Sequence, residues 1–276
     1  MKELMVRTRR PANLHSVFER TFHEQRRALI GWTTSLVFLA LTMTALYPTI
    51  RGNQQLVTLH ETYPKALRSL FGISDLASGV GFLRAEIFSL IGPLLVIILA
   101  VLWGGDVIAG EEDRGTIDIL MANPISRRRL VLEKWSALLV GVSVAGAGLA
   151  AGLAIGIAAV DIHIGWQAVA AAIVGTISIG MLFGTTALAI GAATGSRGLA
   201  RGVAAALAVV AYLVSSLSDL VTWLRPIRSA SPWYHALGVD PLTIGFQPWR
   251  LLLLLALTAL IAFGGIVAFE RRDLSS

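Results

Sequence analysis

Between two long apolar segments, Asp106 to Lys134 carry the densest run of charge in the chain. Glu111, Glu112, Asp113 and Arg114 are too polar for hydrocarbon and end the segment before them. Thr116 offers a hydroxyl N-cap to a short helix, Ile117 to Ala122. On that helix Ile117, Leu120 and Met121 fall at i, i+3 and i+4, a narrow apolar face beside polar Asp118. Asn123-Pro124 stops it, because the residue before a proline avoids helical angles. Ser126 caps the next helix, with Arg127, Arg128 and Arg129 in its first turn. The helix dipole disfavours cations there. Anionic lipid headgroups are the expected partners that hold them. The chemistry of this stretch is therefore docking and charge pairing rather than bond making.

The patterns for covalent or nucleotide chemistry are missing. There is no Gly-xxxx-Gly-Lys-Ser/Thr phosphate loop, no His-Glu-xx-His zinc pattern and no Gly-x-Ser-x-Gly elbow. No cysteine occurs, which excludes thiol catalysis, disulfides and iron–sulfur ligation. His15, His23, His60, His163 and His235 all fall in expected loops or ends. Glu111-Glu112 has no membrane histidine to make a metalloprotease. The chain is thus expected to be no enzyme and to bind no cofactor or metal. Asp106 lies about one turn from the end of its apolar segment, and an interfacial carboxylate is its favoured reading over an intramembrane ionisable site.

What positions this stretch is a membrane domain. Of 276 residues 55% are hydrophobic and only 14% charged, with mean hydropathy +0.71. Apolar runs reach about twenty residues or more, long enough to cross a bilayer. No polar segment is long enough to hold a core of its own. The net charge of +6 lies beside the spans, where it sets orientation and meets anionic lipid, so nucleic acid is not an expected partner.

The pattern predicts an all-α polytopic protein with six spans, at about 28–47, 88–110, 130–160, 166–194, 199–223 and 249–269. Residues 1–27 form a basic segment in which Leu14, Val17, Phe18 and Phe22 share one helical face, an interfacial helix or one packed on a partner protein. No small-residue cleavage pattern follows the first span, which is expected to serve as the anchor. A polar segment 48–87 contains a short helix, Pro64 to Phe71, with Gly72 past its end. Gly92-Pro93 is expected to kink the second span. Gly148, Gly152 and Gly156 make a ladder in the third span, and Gly180 and Gly184 repeat the spacing in the fourth. These two spans are expected to pair through the glycines as an antiparallel hairpin. Residues 225–248, with four prolines, Trp233 and Tyr234, are too polar to cross and aromatic enough for the interface. Residues 270–276 are a tail.

Six spans place both termini on one side. That side holds 16 Lys and Arg against 7 on the other, so both termini and the 106–134 stretch are expected in the cytoplasm.

Gly110-Glu111, Arg114-Gly115-Thr116, Ile119-Leu120, Pro124, Ser126-Arg127 and Lys134 resemble the intracellular loop of ABC type-2 transporter permeases. Ser231-Pro232-Trp233-Tyr234 and Asp240-Pro241-Leu242 resemble the short external helices of that family, and Tyr63-Pro64 and Glu86-Ile87-Phe88-Ser89 loosely resemble one branch of it. The resemblance implies the type-2 exporter permease fold in a bacterial inner (plasma) membrane. It implies a coupling helix at about 115–124 that docks on a separate ABC ATPase, two copies per assembly, which would bind the ATP and Mg. It also implies a second permease subunit, the same or a related chain. Glu111, Arg114, Gly115, Thr116, Ile117, Leu120 and Met121 would carry the coupling. The competing reading is a stand-alone ion-coupled carrier or channel that uses Asp106 and Asp219, although no internal repeat supports it.

Overall fold

The computed structural model describes residues 17–53, 62–73, 75–115 and 126–272. The helices are α1 (Val17–Arg51), α2 (Lys65–Leu70), α3 (Gly79–Leu83), α4 (Ile91–Asp106), α5 (Ala109–Asp113), α6 (Arg127–Val160), α7 (Trp166–Thr194), α8 (Arg197–Leu217), α9 (Pro241–Ile244) and α10 (Pro248–Arg271). Among the described residues six stretches are long and apolar enough to cross a membrane: α1, Gly79–Asp106, α6, α7, α8 and α10. The described residues contain no strand. The protein is an all-α, multi-pass membrane protein.

The first span departs from expectation at its start. Residues 17–27 do not form a helix of their own but are the first turns of α1, which runs to Arg51. No glycine or proline interrupts them. Phe18 N donates to Glu133 Oε2 of α6 at 3.2 Å, tying the first turns of α1 to α6. Phe22 stacks on Phe18 and reaches Trp103 of α4, ring centres 6.3 Å apart, so this apolar face meets protein.

The second span starts at Gly79, well before residue 88. Ser78 caps it, accepting from Gly81 N at 3.1 Å, and Asp75 Oδ1 accepts from Ala77 N. The helix widens to a π-turn over Arg84–Phe88 and bends at Leu90, whose φ is −146°. Pro93 then falls in the first turn of α4, where a missing N–H costs no helical bond. The irregularity therefore sits just before Gly92-Pro93.

The glycine ladder has a different partner from the expected one. A Cβ on Gly152 would lie 2.9 Å from Val37 O and from Ala40 Cβ of α1. Gly148 lies against Thr33 and Gly156 against Thr44, also on α1. The small-residue face of α6 thus admits the first span, not the fourth. Gly184 of α7 packs on Ala100 of α4, 2.9 Å from its added Cβ, and Gly180 meets Val96 of α4 and Val142 of α6. Glycine spacing reports a close helix approach without naming the neighbour. Here α1 covers one side of α6, while α4 lies on α7.

At the end of the bundle away from Asp106, α8 stops at Leu217, several residues short of the expected 223. Short pieces follow: a 3₁₀ helix Thr222–Ala230, a π-turn Tyr234–Gly238 and α9. They fold back on the spans. Ser231 Oγ donates to Ala211 O at 2.7 Å, and Trp233 meets the ring of Tyr212 edge-on at 4.9 Å. Trp233 is therefore buried rather than an interfacial anchor.

Candidate functional site

The site grows from the broken end of the second span. α4 ends at Asp106, where the backbone leaves helical geometry; Ile108 has φ −116° and ψ −63°. One further turn, α5, brings Gly110 to Asp113 back under the bundle. Gly115 then takes φ +66°, a left-handed angle that glycine adopts without the Cβ penalty.

Asp106 faces a group of guanidiniums. Arg197 Nε donates to Asp106 Oδ1 at 2.7 Å, and Arg197 Nη2 donates to the same oxygen. Arg201 Nη2 and Arg114 Nη1 stand 3.6 and 3.7 Å from it. Arg197 opens α8, where the helix dipole disfavours a cation; Asp106, with Asp113 at 3.8 Å, offsets that cost. Arg201 also donates to Leu102 O at 3.2 Å, tying α8 to the end of α4. Gly110 explains itself here, because a Cβ would collide with the Asp106 carboxylate and come within 3.1 Å of Arg197 Nη2.

One turn further, Glu111 Oε1 accepts from Lys134 Nζ of α6 at 2.7 Å. Both side chains are buried, and Lys134 Nζ also donates to Val107 O at the broken backbone. Among the described residues Glu111 thus forms its ion pair with Lys134, not with Arg114 or the arginines that open α6. A charge-assisted bond withdrawn from water is among the stronger polar contacts available, provided that both partners remain.

Glu112 completes the set by pairing with Arg272, which also donates to Ala192 O of α7 at 3.0 Å. Arg127 Nη1 donates to Phe269 O at 3.2 Å and to Arg272 O at 2.6 Å. It supplies donors to carbonyls that the end of α10 leaves open. Arg129 pairs with Glu133 at 2.7 Å. Two of the three arginines expected to meet lipid headgroups are therefore held by protein.

The end of the second span is joined in this way to α6, α7, α8 and α10 within about one helical turn. Of the expected coupling residues, Glu111 sits inside this network and Arg114 at its half-exposed edge. Gly115 forms the turn that leaves it. Thr116, Ile117, Leu120 and Met121 lie outside the described residues. Sequence reasoning missed the contributions of Arg197, Arg201 and Arg272. Their charges were visible as topology signals, but their partners lie 91, 99 and 160 residues away.

The carrier reading loses its two carboxylates. Asp106 is paired with arginine, and Asp219 bonds Arg228 at 2.8 Å at the other end of the bundle.

Comparison with known proteins agrees with this architecture. The profile of the family described as ABC-2 family transporter protein matches residues 15–274. No curated protein sequence matches the chain significantly. Six apolar spans, a charged joint where the second span enters its loop, and a family match over nearly the whole length lead to one assignment: the chain belongs to the ABC-2 transporter family, as the membrane-spanning permease component of an ABC transporter.

Proposed function

We propose that this permease is half of an ATP-driven exporter and that the 106–134 stretch is its mechanical input. Family membership implies an ABC ATPase partner. In this reading two ATPases, which bind the ATP and Mg, sit beneath a pair of permeases made of this chain twice or of this chain and a relative. Both termini face the cytoplasm of a bacterial inner membrane, as the excess of Lys and Arg on that side favours. The amphipathic helix at about 115–124 docks on the ATPase through Ile117, Leu120 and Met121.

The observation that carries the reading is the buried Glu111–Lys134 pair. A relay needs a stiff joint between the element that is pushed and the spans that respond. Glu111 supplies one within five residues of Thr116, and Asp106 and Glu112 brace it against α8 and α10. Closure of the ATPases would then move the second and third spans together and switch the pathway between permeases.

The test is co-purification. Leu120→Asp with Met121→Asp should abolish recovery of the ATPase while the permease remains folded. A complex that survives both changes would place the docking surface elsewhere on the chain.

A further inference from the structure

At the end of the bundle opposite the Glu111–Lys134 pair, a cavity of about 410 Å³ opens between α2, the π-turn at Arg84–Phe88, the end of α8 and the folded-back segment. Its charge is unbalanced. Lys65, Arg68, Arg84 and Arg228 line it against two carboxylates, Asp219 and Asp240. Both carboxylates are engaged: Asp240 bonds Arg84 at 3.0 Å and Thr243 at 2.9 Å, and Asp219 bonds Arg228 at 2.8 Å. Lys65 and Arg68, three residues apart on α2, have no carboxylate partner among the described residues. Arg228 is engaged by protein: Nη1 bonds Asp219, Nη2 donates to Gly238 O at 3.3 Å, and the guanidinium lies 4.7 Å over the Tyr234 ring, which leaves Lys65 and Arg68 as the surplus.

The wall that carries the surplus charge is held in place. Ser69 Oγ donates to Ser216 O, and Tyr212 OH donates to Leu70 O, so α2 is fixed to α8 although none of its residues is buried. Two lining segments are π-turns, Arg84–Phe88 and Tyr234–Gly238, a geometry frequent at functional sites. The remaining lining includes Leu70, Phe88 and Trp233. The volume falls in the range of about 300–1,000 Å³ typical of small-molecule sites.

We propose that this cavity binds an anionic amphiphile, a molecule with one phosphate-type group joined to an apolar portion. Arg68 and Lys65 would receive the anion, and Leu70, Phe88 and Trp233 would receive the apolar part. Two sources share this chemistry: a phospholipid headgroup from the adjoining leaflet and a soluble phosphate ester. The assignment does not depend on the coupling reading or on which side of the membrane the cavity faces.

The experiment uses the full-length protein in neutral detergent. Native mass spectrometry would measure retention of added phosphatidylglycerol and phosphatidylcholine; in parallel, thermal unfolding would be followed as inorganic phosphate is added. Wild type should retain phosphatidylglycerol in preference, and Lys65→Gln with Arg68→Gln should weaken that retention about tenfold or more. Arg51→Gln, an exposed cation ending α1, should leave it unchanged. Neither Lys65 nor Arg68 is buried, so the double variant should unfold at the wild-type temperature without ligand. Stabilisation by phosphate that the double variant loses, with no lipid preference, would assign the site to a soluble anion. Equal behaviour of wild type and double variant towards both probes, or an equal loss in Arg51→Gln, would overturn the proposal.

Discussion

Lys134 Nζ lies 2.7 Å from Glu111 Oε1, with only 2% and 6% of the two side chains exposed. Buried ion pairs have an asymmetric energetics. Removing one partner leaves a stranded charge and costs about 3–5 kcal/mol, whereas replacing both with well-packed apolar groups is often neutral. Glu111→Gln alone and Lys134→Met alone should therefore lower the thermal unfolding temperature of the purified permease. The double variant Glu111→Leu/Lys134→Met should recover much of that loss. If the pair is also the stiff joint of the relay, the double variant will hydrolyse ATP with its partner yet transport poorly. Wild-type transport in the stable double variant would reduce the pair to a packing element.

Asp106 and Arg197 join the second and fifth spans and are partly exposed, 19% and 32%. Solvent screens the pair, so its loss should cost roughly 1–2 kcal/mol, between the exposed and buried charge-assisted values. Asp106→Asn leaves Arg114, Arg197 and Arg201 facing a neutral amide and should destabilise more than Arg197→Gln, after which two arginines still face the carboxylate. Unfolding temperatures of the two single variants decide this; the reverse order would mean that Arg197 acts mainly through Asp113.

The Gly152 contact with α1 gives a clean comparison. Gly152→Leu forces a side chain against Val37 O and Ala40. Overpacking of this kind costs about 1–3 kcal/mol. Gly264, in α10, has nothing within 4 Å of an added Cβ, so Gly264→Leu should change stability by about 0.5 kcal/mol or less. Similar unfolding temperatures for the two variants would remove the α1–α6 contact as a determinant of the bundle.

Orientation can be read by thiol labelling, because the chain contains no cysteine. Ser231 is unsuitable, being buried and bonded to Ala211 O. Ser229 is exposed beside it. Ser229→Cys in intact cells should react with an impermeant maleimide, and Gly198→Cys, in the open first turn of α8, should react only after lysis. The opposite pattern would place the 106–134 stretch outside and end the coupling reading.

The six spans were legible because bilayer thickness imposes a length and because charged residues stop each apolar run; the fourth span, 166–194, has the same bounds in sequence and structure. The charged stretch at 106–134 was legible for the same reason, and Gly110-Glu111 together with Lys134 stood out within it. Sequence could not say that Glu111 meets Lys134. The two lie 23 residues apart across a loop, and four arginines nearby offered equally good charge. Nor could it assign the ladder of Gly148, Gly152 and Gly156 to α1, since a small-residue face fits any helix that comes close. Nor did it show the early start of the second span, which rests on Ser78 and Asp75 capping the turn at Gly79. Local composition thus determined which segments cross the membrane. The packing of those segments decided which charges are neutralised and by whom, because a buried ion pair forms only where the assembled helices bring two side chains together and exclude water around them.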